Sequence, residues 1–137
     1  MIHSPNRLLS LILGIVFLLI GLFGFFVATP LPFATAEGAV LIGLFGVNAA
    51  LSTIHVLVGA ALLLAGLGGV LPAKLATVVL GAALVVFSLV GFGIAHTGAN
   101  IFALNTPDNL LHLFAGLLLV AFGLTTDKVI LKAPKLA

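Results

Sequence analysis

Two histidines, His55 and His112, are the residues whose type and spacing favour chemistry in this chain of 137 residues. Each lies in a long apolar run and shares one helical face with small polar residues and glycines, at offsets of 0, 4, 7, 11 and 18. The two stripes are Asn48, Ser52, His55, Gly59 and Gly66, and Asn105, Asn109, His112, Gly116 and Gly123. Ionisable residues in apolar membrane segments are costly, and they indicate a functional site by default.

Three interpretations of the stripes remain open. Imidazole is the commonest nitrogen ligand, so His55 and His112 at equal depth would suit haem b, a (bacterio)chlorophyll or a transition metal. A path for protons or a small solute is the second interpretation. The third is structural: Asn105 caps a helix, Asp108 complements the helix dipole, and Asn109 and His112 hydrogen-bond between helices. We favour the structural interpretation, and therefore expect no cofactor.

Other chemistry is excluded by residue types and composition. The sequence contains no cysteine and shows no nucleophile–base pair, paired carboxylates or phosphate-binding glycine loop, so an enzyme is not expected. Five basic residues against three acidic ones are too few for a nucleic-acid footprint. The eleven phenylalanines are expected to face lipid.

The elements that carry the stripes are predicted to be transmembrane helices. The chain is 63% hydrophobic and 6% charged, whereas soluble chains are about 45–50% apolar and about 25% charged. Spanning a bilayer takes about 20 apolar residues, and helices satisfy their own backbone groups in lipid. The sequence predicts an all-α membrane protein, a single domain over residues 1–137 with four spans: Leu8–Ala28, Ala49–Leu71, Leu75–Ala95 and Pro107–Leu124.

The basic residues indicate the orientation of these spans. All five lie on one side of the map, whereas the two opposite loops carry Glu37 and Asp108; the basic residues are Arg7, Lys74, Lys128, Lys132 and Lys135. Basic residues near span ends stay in the cytoplasm. We therefore expect both termini to be cytoplasmic, in a bacterial inner membrane (cytoplasmic or thylakoid).

The chain also contains an internal repeat. Residues 44–67 align without gaps on residues 101–124 with seven identities, which include His55/His112 and Gly59/Gly116. The halves are about 1–71 and 72–137. An even number of spans per half predicts a duplicated helical hairpin, a parallel repeat with a pseudo-twofold axis along the membrane normal.

Small residues seven apart predict the faces on which the helices pack. The pairs are Gly14/Gly21, Gly59/Gly66, Gly81/Ser88 and Gly116/Gly123. Small residues let helix backbones approach closely in lipid, and a seven-residue period favours a left-handed bundle. In the loop of residues 29–47, Val40 to Phe45 is too short to span, and is expected at the outer interface or folded back against the bundle.

The string Asp108-Asn109-Leu110-Leu111-His112-Leu113 (DNLLHL) resembles a motif of a bacterial membrane family known as domain of unknown function 4383 (DUF4383). The resemblance covers nearly the whole chain and implies a four-span fold, with no established activity. Family members often have His-Asn ahead of the first-half histidine, where this chain has Leu51 and Ser52. That departure leaves His55 alone in its half and weakens a metal-ligand role there.

Together these features predict a small structural or accessory subunit of a larger membrane assembly. Its expected partners are the lipid bilayer and other membrane subunits or a second copy of itself. Nucleic acid is not an expected partner.

Overall fold

The computed structural model describes residues 4–128, in which four helices and one short β-hairpin form. Each helix is long and apolar enough to cross a membrane, which confirms the predicted all-α fold with four helices of transmembrane length. The elements are α1 (Pro5–Ala28), β1 (Ala39–Leu41), β2 (Phe45–Val47), α2 (Ala49–Gly68), α3 (Val70–Ile94) and α4 (Thr106–Thr125). Lys132 and Lys135 lie outside the described residues.

Polar caps define where three of the helices begin. The side chain of Ser4 accepts a hydrogen bond from the backbone of Arg7 at the start of α1. Asn48 does the same for Leu51 N in α2, at 2.9 Å. Asn105 begins α4 with a capping box, in which its side chain and that of Asp108 accept from each other's backbone N–H. Each cap satisfies an N–H group that the first helical turn leaves free.

The boundary between the second and third helices differs from the prediction. The sequence suggested a second span reaching Leu71 and a third starting at Leu75, but α2 ends at Gly68 and α3 begins at Val70. Gly69 makes the break with φ of 128°, a backbone conformation that favours glycine. Pro72 lies in the first turn of α3, where a missing N–H costs nothing.

Glycines bring the helices into close contact in two pairs, α1 with α2 and α3 with α4. A Cβ atom added at Gly59 would lie 2.6 Å from Leu18 N and 2.8 Å from Gly14 O. One added at Gly116 would lie 2.7 Å from Gly81 O. Backbone occupies the place of the missing side chains, so a larger residue would separate the helices. All eight small residues named as packing positions are buried.

An apolar layer crosses the middle of the bundle. It contains Phe17, Leu62, Leu84 and Leu119, each no more than 3% exposed. We call the end of the bundle that carries Arg7 and Lys74 the basic end, and the end that carries the β-hairpin and Asn105 the loop end.

The loop end contains a β-hairpin that the sequence analysis missed. Ala39 pairs with Val47 and Leu41 with Phe45. Ile42 and Gly43 both have positive φ, and Leu44 N donates to Leu41 O at 3.1 Å, as in a type I′ turn. Such turns usually carry Asn-Gly or Asp-Gly, so Ile-Gly gave little signal. The segment does not span, and the buried Leu41 packs beside α1, which agrees with a fold back against the bundle.

Candidate functional site

His55 of α2 and His112 of α4 meet in the interior of the bundle. Their Nε2 atoms lie 2.9 Å apart, and the side chains are 1% and 0% exposed. The ring centroids are 5.2 Å apart, with the planes tilted by 38°. At this distance one Nε2 donates its hydrogen and the other accepts it, so the two neutral rings hold opposite tautomers. The sequence analysis placed them at matching depth, and the structure brings them into direct contact.

Two phenylalanines enclose the histidine pair. Phe17 stacks on His112 at 6.4 Å with an interplanar angle of 7°, and its centroid lies 5.6 Å from that of His55. Phe87 lies 5.2 Å from His112. The expectation that the phenylalanines face lipid was therefore wrong for Phe17, which is 1% exposed. Its position between Gly14 and Gly21, on the face of small residues, was the signal available in the sequence.

The spacing of the two nitrogens bears on cofactor binding. Two imidazoles on opposite sides of one metal ion would hold their nitrogens roughly 4 Å apart, from metal–nitrogen distances of about 2.0–2.1 Å. Here the nitrogens bond to each other at 2.9 Å. Among residues 4–128, no three His, Asp or Glu side chains come together as a metal site. A haem or chlorophyll between His55 and His112 would therefore require the two helices to separate.

Asn48 and Asn105 connect the loops above the pair. Asn48 Nδ2 donates to Thr35 O and to Ile101 O, both at 2.9 Å. Asn105 Nδ2 donates to Leu44 O at 2.9 Å. Both caps thus also fix the loops that follow α1 and α3, a role that the sequence did not reveal.

Asp108 holds the hairpin onto α4. Its Oδ2 atom accepts from Gly46 N at 2.9 Å and from Asn105 N at 3.1 Å. The carboxyl group is 0% exposed. A Cβ atom added at Gly46 would clash with Ala103 O. Glycine at this position therefore permits the close approach of the hairpin to Asp108. Asp108 therefore does more than complement the helix dipole, since it ties two parts of the chain together.

Several buried polar atoms near the pair have no hydrogen-bond partner among residues 4–128. There are six of these atoms: Ser52 Oγ, His55 Nδ1, Asp108 Oδ1, both amide atoms of Asn109, and His112 Nδ1. Leaving a buried polar atom unsatisfied costs about 1–3 kcal/mol. The expected hydrogen bond from the side chain of Asn109 is absent among the described residues, because its amide packs against Gly91. Ser52 Oγ packs against Gly24 in the same way.

A second polar cluster, which the sequence analysis missed, closes the basic end. Asp127 Oδ2 accepts from Ser4 Oγ at 2.8 Å and from Asn6 N and Nδ2, both at 2.9 Å. Thr77 Oγ1 donates to Asn6 Oδ1 at 2.9 Å. Partial desolvation opposes ionisation of Asp127, but the hydrogen bonds from Asn6 and Ser4 and the nearby Lys74 lower the pKa of its carboxyl group below the usual value. The sequence contains little indication of this cluster, because Ser4 and Asn6 lie about 120 positions from Asp127.

The fold and site define a small protein of four membrane-length helices around a buried histidine pair, consistent with an integral membrane protein. The chain belongs to the family described as domain of unknown function (DUF4383), whose model matches residues 7–125. This confirms the resemblance noted in the sequence. Comparison with curated proteins and with solved structures gave no match.

Proposed function

We propose that the protein is a non-catalytic structural subunit, a packing partner in a larger membrane assembly. The observation that carries the proposal is the Nε2–Nε2 hydrogen bond between His55 and His112. Each histidine uses its Nε2 atom to bind the other helix. The Nε2 atoms of the pair therefore join α2 to α4.

The outer surface of the helices supports a role inside the membrane. Large apolar side chains on all four helices are half exposed or more, including Leu22, Phe23, Leu57, Leu64, Val79, Val86, Phe114 and Leu117. Such a surface suits lipid or the apolar face of another membrane subunit. The described loops form a small cap over the bundle, so recognition of a partner would depend mainly on the helices.

Matching contacts in the two halves support a duplicated hairpin with a pseudo-twofold axis along the membrane normal. Gly59 packs on Gly14 in the first half, and Gly116 packs on Gly81 in the second. An added Cβ at Gly21 would lie 2.8 Å from Ser52 O, and at the equivalent contact Ser88 donates to Asn109 O at 2.7 Å. An axis through the bundle would pass between the two histidines.

The basic end supports a cytoplasmic location for both termini. Arg7 and Lys74 lie at the starts of α1 and α3, and Lys128 follows α4. Arg7 Nε and Lys74 Nζ donate to backbone carbonyls at this end, at 2.9 and 2.6 Å. By the positive-inside rule this end faces the cytoplasm, and we propose a bacterial inner membrane as the location.

Site-specific photo-crosslinking in native membranes tests the structural role. A photoreactive residue is placed at one lipid-facing position on each helix: Phe23, Leu57, Val79 or Phe114. A subunit of an assembly should give a discrete protein adduct, identified by mass spectrometry, from one or two of these helices. The remaining positions should give lipid adducts and serve as matched controls. Lipid adducts from all four positions would show a free-standing protein and contradict the proposal.

An absorption spectrum with elemental analysis of the purified full-length protein tests the alternative of cofactor binding. We expect a colourless, metal-free protein. A coloured preparation that bleaches in both His55→Ala and His112→Ala would instead favour haem or (bacterio)chlorophyll. A metal content that both substitutions abolish would favour a metal site.

A further inference from the structure

Six buried polar atoms in and beside the histidine pair take no part in the structural role. On α4, Asp108 and Asn109 lie about one turn above His112, towards the loop end; on α2, Ser52 lies one turn above His55. All five side chains are no more than 1% exposed, and their six free atoms have no hydrogen-bond partner within residues 4–128. We propose that these atoms form a binding site for internal water molecules.

The chemistry of the pair specifies a ligand that both donates and accepts hydrogen bonds. Because one Nε2 donates and the other accepts, one histidine presents a bare Nδ1 and the other an Nδ1–H group. These two roles reverse when the shared hydrogen moves to the other Nε2 while the ring that receives it loses its Nδ1 proton to water and the other ring takes up a proton from water at Nδ1. Water satisfies either state by rotating, whereas a cation or an anion suits only one of them.

The spacing of these residues along each helix also suits water. Residues three or four positions apart on one helix face have Cβ atoms about 5–6 Å apart, a gap that one water molecule bridges between side chains. Gly24 and Gly91 lie directly against Ser52 Oγ and Asn109 Oδ1, so the helices approach too closely for a larger solute. Buried waters commonly bind polar groups that protein atoms leave unsatisfied.

The other free polar atoms of the site lie on the loop-end side of the histidine pair. At its upper limit Asp108 contacts Gly46 and Asn105 of the loop end. Below the pair, Phe17 packs on both imidazoles, and Leu62 and Leu119 follow two turns further along α2 and α4. These three apolar side chains are 0–1% exposed. The histidine pair therefore meets the proposed water on its loop-end side and apolar side chains on its basic-end side.

Water-edited solid-state NMR of the labelled full-length protein in phosphatidylcholine vesicles tests this site. At short mixing times, magnetisation from water should reach the side chains of Asn109 and His112. The methyl groups of Leu62 and Leu119 should receive it later, because they lie in the apolar layer. Build-up at His112 and Asn109 no faster than at Leu119 would overturn the proposal.

Two variants test whether the site residues are needed for transfer of magnetisation from water to His112. Asn109→Leu keeps a similar shape but removes the amide, and transfer to His112 should fall to the level seen at Leu119. Ser10→Ala is the control, because Ser10 Oγ is also buried and without a partner among residues 4–128 but lies towards the basic end. Unchanged transfer to His112 in Asn109→Leu would overturn the proposed site. If Asn109→Leu does not fold, Ser52→Ala with transfer to His55 gives the same comparison.

Discussion

The Oδ2 atom of Asp127, just past the end of α4, lies 2.9 Å from the backbone nitrogen of Asn6 in the first turn of α1. The carboxylate satisfies one of the N–H groups that a first turn leaves free and complements the positive end of the helix dipole. Its hydrogen bond from Ser4 Oγ adds to the same contact. Asp127 thereby holds the start of α1 against the end of α4.

Replacement of Asp127 with Asn should destabilise the protein by about 0.5–1 kcal/mol, a cap-sized effect reduced by solvent screening. Asn tolerates the positive φ of 52° at this position, so the backbone conformation is retained. The folded-state pKa of Asp127 lies below the unfolded value of about 3.9. The stabilisation is therefore present above about pH 4 and lost as the pH falls through the folded-state pKa. Unfolding measured in detergent from pH 7 to 3 should show the two proteins converging in acid.

Substitution of Gly59 by Ala should cost about 1–3 kcal/mol, because its Cβ would lie 2.6 Å from Leu18 N. Gly93→Ala in α3 is the matched control, because an added Cβ there meets nothing within 4 Å among the described residues. The control should be neutral or slightly stabilising, as expected for Ala over Gly in a helix. Thermal unfolding of both variants in detergent measures the difference. Equal stabilities would mean that Gly59 does not lie at a helix contact.

Much of the fold could be predicted because bilayer physics leaves few choices. Long apolar runs must form helices in lipid, and the predicted starts at Ala49 and Pro107 lie within one residue of the observed starts of α2 and α4. The boundary near Gly69 was less accurate, because Pro72 and Lys74 resemble a loop, although Pro72 also suits a first helical turn. The hairpin was missed because Ile42 rarely adopts the positive φ that its turn requires.

The candidate site could be predicted in part. The stripes placed His55 and His112 on inward faces, since a polar residue on a helix in lipid must face protein. Their direct hydrogen bond and the unpaired amide of Asn109 depend on how far apart the helices lie and how they are rotated. These two quantities must place the side-chain atoms to within about an ångström. Sequence periodicity does not specify these quantities. The Asp127–Asn6 contact joins distant segments with no periodic pattern, so packing alone reveals it.

Reporter fusions test the orientation inferred from Arg7 and Lys74. Fusions after Lys74 and at both termini should report the cytoplasm, and a fusion within the loop of Glu37 should report the opposite side. Alkaline phosphatase and a fluorescent protein give opposite readouts for the two sides. An external signal at Lys74 would contradict the four-span topology.

Substitution of Ile42 by Asn should stabilise the hairpin by about 0.5–1 kcal/mol. Positive φ costs an L-residue about 1–2 kcal/mol, which Asn-Gly partly avoids in this type of turn. Leu44→Asn makes the same change in polarity at an exposed position with negative φ. Hydrogen exchange at Leu41 and Phe45 measures the hairpin directly. Faster exchange in Ile42→Asn than in Leu44→Asn would mean that the turn is not strained.

A double-mutant cycle measures the coupling between His55 and His112. Either His→Leu substitution alone leaves one buried Nε2 atom without its partner, at a cost of about 1–3 kcal/mol. The double variant removes both polar groups, so it should cost less than the two single variants together. Residues in direct contact typically show interaction energies of about 0.5–3 kcal/mol. Asn109 does not pair with His112, so the two single variants should differ little.

The control for this cycle is His96→Leu, because His96 is exposed at the end of α3 and lies outside the pair. It should change stability by less than about 0.5 kcal/mol, as for other surface substitutions. Denaturant unfolding of the four proteins of the cycle and of the control in the same detergent gives the free energies. Additive effects of the two histidine substitutions would mean that the 2.9 Å contact contributes nothing. Replacing a buried polar pair with apolar residues is often neutral or stabilising. A double variant at least as stable as the natural chain would therefore show that the pair serves a purpose other than stability.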